Sequence, residues 1–182
     1  MMSAEVYKDI LPKAVNHLII QELLDSCRWR LAFDNGPEDV HNSVLNNKRD
    51  KDFGLNMRSF HSREYFDENV KLNIWAQVVL FSVLEKNKKF INPRAVRFNW
   101  NYYNKSSTGN FHTDSENNNS HSILYSLHNS DGGVEIADTF YQDVEGEAKL
   151  FNSRTQHKGI GPTKNLMRLN LNIVFEYDAI IS

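Results

Sequence analysis

The chain has 182 residues and sets 21 Lys and Arg against 23 Asp and Glu, a net charge of −2, and it is long enough to bury a core as a single domain, 1–182. That balance argues against tight non-specific nucleic-acid binding, which needs clustered basic charge, and no apolar run approaches the roughly 18 residues of a membrane span. One cysteine, Cys27, forbids an internal disulfide, and Lys8, Asp9 and Lys13 break any signal-peptide core, so a cytoplasmic protein is expected.

Residues 4–11 read as a short strand or lead-in, and Pro12 stands where helices begin. From 13 to 29, Val15, Leu18, Ile19, Leu23, Leu24 and Cys27 recur at helical spacing and predict an amphipathic helix with Cys27 buried in it. Asp34-Asn35-Gly36-Pro37 is turn chemistry. The stretch 34–66 is long, polar and aperiodic, which leaves two readings, a lid over a binding site or a disordered segment; as a lid it would carry selectivity through Arg49, Lys51, Arg58 and Arg63. A second helix is predicted over 67–88, capped by Asp67. Its stripe is Val70, Ile74, Val78, Phe81 and Leu84, widened by Trp75 and Val79 and expected to face a sheet. Lys86-Asn87-Lys88-Lys89 suits a solvated helix C-terminus.

From 94 onward the period becomes two, with short segments and Asn, Gly and Ser turns. Helices followed by strands predict an α+β chain, mainly β, with residues 1–90 as helical support and lid and 91–182 as the β core. Periodicity alone leaves sandwich and barrel open.

The chemistry concentrates in this second half. His112-Thr113-Asp114 places an imidazole and a carboxylate on one face if the segment is an extended strand. His157, from a distant strand, would complete a set of two histidines and one carboxylate, which holds ferrous iron and leaves open positions for substrate chemistry. Arg168, in the alternating stretch 166–175, offers a planar, always-charged fork to a carboxylate. A cation buried in a barrel implies an anionic ligand or an acidic neighbour. Asn170 and Asn172 share its face. On the strand 97–103, Arg97, Asn99, Asn101 and Tyr103 form one face and Phe98, Trp100 and Tyr102 the other. Strand 121–127 turns either Ser122, Leu124 and Ser126 or His121, Ile123 and Tyr125 toward the site. His121 and His128 are read as histidines satisfied locally, since the metal set is already filled.

Three stretches, RFNWNYYNKSSTGNFHTD (97–114), HSILYSLHNSDGGVEI (121–136) and AKLFNSRTQHKGIGPTKNLMRLNLNIVFE (148–176), resemble the catalytic core of the iron(II)- and 2-oxoglutarate-dependent dioxygenases, in particular the bacterial and phage prolyl-4-hydroxylase-like branch. The resemblance implies a double-stranded β-helix (jelly roll) flanked by N-terminal helices. It implies Fe(2+) on His112, Asp114 and His157, with 2-oxoglutarate and O2 as co-substrates, and it leaves room for ascorbate. It puts Arg168 on the distal carboxylate of 2-oxoglutarate. Asn101-Tyr102-Tyr103 resembles the Asn-x-Tyr of alkylation-repair relatives, so Asn101 and Tyr103 join the co-substrate residues. Ser126 stands where the family often has a tyrosine, a departure for which Tyr103 would compensate. The retained Asp114 favours hydroxylation over halogenation. The implied substrate is an organic molecule, a peptidyl proline foremost, with a free amino acid or a nucleobase as alternatives. A non-catalytic, cupin-like jelly-roll metal protein is the competing class, and Arg168 discriminates, because it has little purpose there.

Overall fold

The computed structural model describes residues 4–25, 30–32, 54–62, 70–105 and 107–181. Its helices are α1 (Lys13–Asp25) and α2 (Val70–Asn87). Its strands are β1 (Glu5–Tyr7), β2 (Arg30–Ala32), β3 (Gly54–His61), β4 (Phe90–Ile91), β5 (Arg94–Asn104), β6 (Ser120–Ser126), β7 (Gly133–Ile136), β8 (Thr139–Gln142), β9 (Ala148–Asn152), β10 (His157–Ile160), β11 (Met167–Glu176) and β12 (Ala179–Ile180). Seven strands form an antiparallel sheet in the order β1-β9-β6-β11-β5-β3-β2, and β10-β7-β8 form a smaller one. Leu124 and Phe151 of the large sheet meet Val134 and Ile136 of the small one in a compact apolar cluster, which fixes the two sheets face to face. Backbone bridges from Thr108 to Ile160 and from His112 to His157 run the segment before β6 alongside β10, extending the smaller sheet. The result is the jelly roll flanked by N-terminal helices.

Strand alternation sorts the large sheet into two unlike faces. Phe98, Trp100, Ile123, Tyr125, Leu169, Leu171, Ile173 and Phe175 point outward and are buried with Ile19 and Leu23 of α1 and Leu72, Ala76, Val79, Leu80 and Val83 of α2. The main apolar core therefore lies outside the barrel, under the helices, and leaves the barrel interior free to be polar. α1 starts as expected, with the Pro12 carbonyl accepting from Val15 and Asn16 at 2.9 and 3.2 Å. α2 ends at Asn87, where Lys88 turns to a left-handed φ of 55°.

Several expectations change. The stripe assigned to α2 is largely on the wrong side: Val70, Ile74, Val78 and Phe81 are exposed, while Leu72, Ala76, Val79, Leu80 and Val83 face the sheet. This helix is apolar on both faces, so period alone cannot choose between them, and the sheet takes the face that carries small Ala76. In α1 Ile19 and Leu23 are buried as expected, but Leu18 and Leu24 are exposed, and Asn16 is buried because its Oδ1 accepts from the Tyr125 hydroxyl at 2.6 Å. The stretch 34–66 is not aperiodic throughout: Gly54–His61 is a strand that pairs along β5. Cys27, Asp67 and the rest of the proposed lid, 34–53 and 63–66, lie outside the described residues. Finally, the His-x-Asp is not carried on a regular strand. His112 holds a single bridge, and Asp114 lies in a bend after it.

Candidate metal centre

The backbones of His112 and His157 exchange two hydrogen bonds, each 3.0 Å, and this bridge sets their rings side by side with centroids 4.4 Å apart. Each ring is oriented from behind. His112 Nδ1 sits 2.9 Å from the Asn110 carbonyl and His157 Nδ1 3.0 Å from that of Thr155. A carbonyl can only accept, so both Nδ1 atoms carry the proton and both Nε2 lone pairs are left to bind a metal. His157 Nε2 is buried and has no hydrogen-bond partner. Burial disfavours the imidazolium and holds His157 below its ordinary pKa despite Asp114 nearby, which preserves the ligating form.

The bend places Asp114 beneath the two rings, its backbone N–H donating to the Ser153 carbonyl at 2.9 Å. Its side chain is 1% exposed. Ser122 Oγ donates to Oδ2 at 2.7 Å, Arg97 Nη2 donates to Oδ1 at 2.5 Å, and Asn172 Nδ2 lies 3.2 and 3.3 Å from the two oxygens. Burial opposes its charge, but a proton on His157 where it is present, the Arg97 guanidinium and the Ser122 hydrogen bond outweigh it and hold the carboxyl below the usual range. The three donor atoms of His112, Asp114 and His157 lie within 4.8 Å of one another, close enough for small side-chain rotations to give a common centre with bonds near 2 Å. An unpaired buried imidazole nitrogen, preset tautomers and an ionised carboxylate fit a divalent iron on this set.

Deeper in the barrel, Arg168, Asn170 and Asn172 line up on the inner face of β11, opposite Tyr103, Asn101 and Asn99 of β5. β6 turns Ser122, Leu124 and Ser126 inward, which settles the two readings of that strand, and β9 adds Lys149 opposite Leu124. Arg168 is 1% exposed, and its guanidinium lies 4.6 Å from the centroid of the Tyr103 ring. That ring reaches across to the small sheet: a Cβ on Gly159 would come within 2.3 Å of its hydroxyl. The anticipated acidic neighbour exists. Asp143, just past β8, accepts from Arg168 Nε at 2.6 Å and lies 3.6 Å from the buried ammonium of Lys149, which donates to Ser126 Oγ at 2.9 Å. Asn101 Nδ2 donates to Asn170 Oδ1 at 3.0 Å. In the opposite amide orientation the Asn170 oxygen would accept from both Arg168 Nη atoms at 3.3 and 3.1 Å. That orientation serves the buried cation better and requires Asn101 to turn with it.

The seven residues singled out from the sequence thus gather about one interior, with the three candidate ligands at its mouth, His112 exposed and His157 buried, and Arg168, Tyr103, Asn101 and Ser126 along and at the foot of it. Sequence reasoning missed Lys149 and Asp143, and it gave Arg97 no role. Lys149 had a signal, since in Ala148-Lys149-Leu150-Phe151 it shares a face with Phe151 between buried neighbours. Asp143 had none, because it follows β8 in a connection. His121 and His128 are no ligands. His121 lies among Phe90, Phe175 and Tyr177, and His128 Nε2 accepts from the Leu169 N–H at 3.1 Å.

No protein-family model matches the chain, and no curated protein matches it in sequence. Solved structures do match in shape. A Pseudomonas putida prolyl-4-hydroxylase superposes with a TM-score of 0.59 at 12% identity, over 97% of this chain and 93% of its own. HygX of Streptomyces hygroscopicus, solved with nickel and 2-oxoglutarate, gives 0.64 at 10% identity over 96% and 83%. The epimerase SnoN of nogalamycin biosynthesis, solved with Fe3+ and alpha-ketoglutarate, gives 0.65 at 10% identity over 96% and 79%. The hydroxylase and the epimerase differ in the reactions their names describe, and all three share an architecture. The chain has the jelly-roll fold of the iron- and 2-oxoglutarate-dependent oxygenases, with a His-Asp-His cluster inside it.

Proposed function

We propose that this chain is an iron(II)- and 2-oxoglutarate-dependent oxygenase that hydroxylates an organic substrate, a peptidyl proline first among the candidates. One observation carries the reading: a preset His112, Asp114 and His157 cluster at one end of a polar barrel face whose other end is the buried cation Arg168. His112, Asp114 and His157 would hold the iron. Arg168, with the Tyr103 ring against it, would take the distal carboxylate of 2-oxoglutarate, and Asn101 and Ser126 would line its path. When bound, iron and co-substrate supply the oxidising power, with succinate and CO2 as products. The protein's own contribution is orientation and exclusion of water. Asp114 is kept ionised and aimed by Ser122, Arg97 and Asn172, and the two imidazoles are oriented, each with Nε2 free, by the carbonyls behind them.

The test is anaerobic titration of the Fe(II)-loaded protein with 2-oxoglutarate, read by the visible charge-transfer absorption of the chelate. Succinate release is then screened with prolyl peptides, free amino acids and nucleosides. A saturable band and substrate-dependent succinate are expected. A metal-loaded protein that develops no band would support the second reading, a jelly-roll metal protein without co-substrate, which the existing Arg168–Asp143 pair favours.

A further inference from the structure

At the foot of the barrel interior, among the described residues, two fully buried cations face one fully buried carboxylate. Arg168 and Lys149 are each 1% exposed, and Asp143 is the one fully buried carboxylate between them. Glu147 stands at the rim, 4.0 Å from Lys149, and shares itself with exposed Lys8 at 3.7 Å. An ammonium has three protons to donate: Ser126 Oγ accepts one at 2.9 Å, and Asp143 Oδ1 stands at 3.6 Å for a second, which leaves the third with no acceptor at that range among the described residues. A buried cation left with donors to spare is costly unless a further acceptor arrives.

We propose that Lys149, steadied by Ser126, is a second anchor for the distal carboxylate of the acid co-substrate, which would bridge it to Arg168. Asp143 is then the fixed counter-ion that lets two cations be buried side by side before the acid enters. With the acid bound, two positive charges meet two negative ones. The consequence is selectivity: a 2-oxo acid with a second carboxylate is strongly preferred over a monoacid that reaches only the metal end. Burial already holds Lys149 below the ordinary lysine range, against the pull of Asp143 and Glu147, so an arriving anion has room to improve its position. This inference rests on the function proposed above and adds to it the residue that reads the length and charge of the co-substrate.

The experiment measures binding of 2-oxoglutarate and of pyruvate to Mn(II)-loaded protein by calorimetry, for wild type, Lys149→Met and Lys149→Gln, with thermal melts confirming the fold. The neutral variants should lose about ten- to a hundredfold in 2-oxoglutarate affinity, the size of a charge-assisted contact. Pyruvate, which lacks the distal carboxylate, should bind all three proteins alike. Equal 2-oxoglutarate affinity in wild type and a folded variant overturns the proposal. So does an equal loss for both acids, which would make Lys149 a structural residue. Wild type that binds neither acid would instead overturn the oxygenase reading itself. Should Met at 149 prevent folding, the Gln variant, which keeps a donor for Ser126, decides the matter.

Discussion

Replacing Asp143 with Asn removes the one carboxylate from a buried group that contains Arg168 and Lys149 and leaves the shape nearly unchanged. Arg168 Nε loses its 2.6 Å charge-assisted bond, and Lys149 loses its 3.6 Å ion pair. Breaking a buried pair from one side typically costs about 3–5 kcal/mol. For a chain of this length each kcal/mol moves the melting temperature by about 2–4 °C, so the variant should melt roughly 6–20 °C lower. Lysine has an escape that arginine lacks. The folded Lys149 pKa already lies below its unfolded value, so the fold favours its neutral form. Stability therefore falls as pH drops from the lysine range through the folded pKa. Without Asp143 that pKa drops further, and the penalty stays incomplete down to lower pH. The deficit of Asp143→Asn should thus be largest near pH 7 and shrink as pH rises toward the ordinary lysine range. Saturating 2-oxoglutarate with Mn(II) should raise the melting temperature of the variant more than that of wild type, because the ligand restores the missing negative charge. Thermal melts at several pH values, with and without ligand, read all three effects. A variant that melts within about 1 °C of wild type at pH 7, ligand-free, would show that Asp143 does not neutralise the pair.

Three further predictions follow from other parts of the molecule. Ser122→Ala deletes the 2.7 Å bond to Asp114 Oδ2 and should weaken Mn(II) or Fe(II) binding by about tenfold in equilibrium dialysis, whereas unchanged affinity would mean that Arg97 and Asn172 suffice to aim the carboxylate. Gly159→Ala puts a methyl 2.3 Å from the Tyr103 hydroxyl and should displace that ring from Arg168, lowering 2-oxoglutarate affinity while metal affinity holds; equal affinities for both ligands would place Tyr103 outside the pocket. His121, whose pKa is pushed down to about 4 chiefly by burial and next by Lys89, is neutral in the fold and protonated in the unfolded chain between pH 4 and 6.5. Wild type should therefore lose stability as pH falls through that window, and His121→Phe should flatten this part of the profile in denaturant titrations; an unaltered slope would refute the assignment.

What the amino-acid order determined by itself is local in origin. Alternation along 97–103 and 166–175 sorted Asn101, Tyr103 and Arg168 onto inner faces, because strand side chains point to opposite sides in turn and one face was plainly apolar. The spacing of His112, Asp114 and His157 named the metal set, even though the segment meant to carry it is a bridge and a bend rather than a strand. Tertiary structure decided the rest. It chose which side of α2 is buried, since a helix apolar on both faces carries no preference until a sheet presents itself. It turned 54–61 into a strand, since that segment's regularity comes from hydrogen bonds to β5 and not from its own pattern. It also brought Asp143, from a connection after β8, against Arg168 of β11 and Lys149 of β9. A buried charge is tolerated only where its counter-charge arrives, and for residues this far apart in the chain only the closed barrel determines where that is.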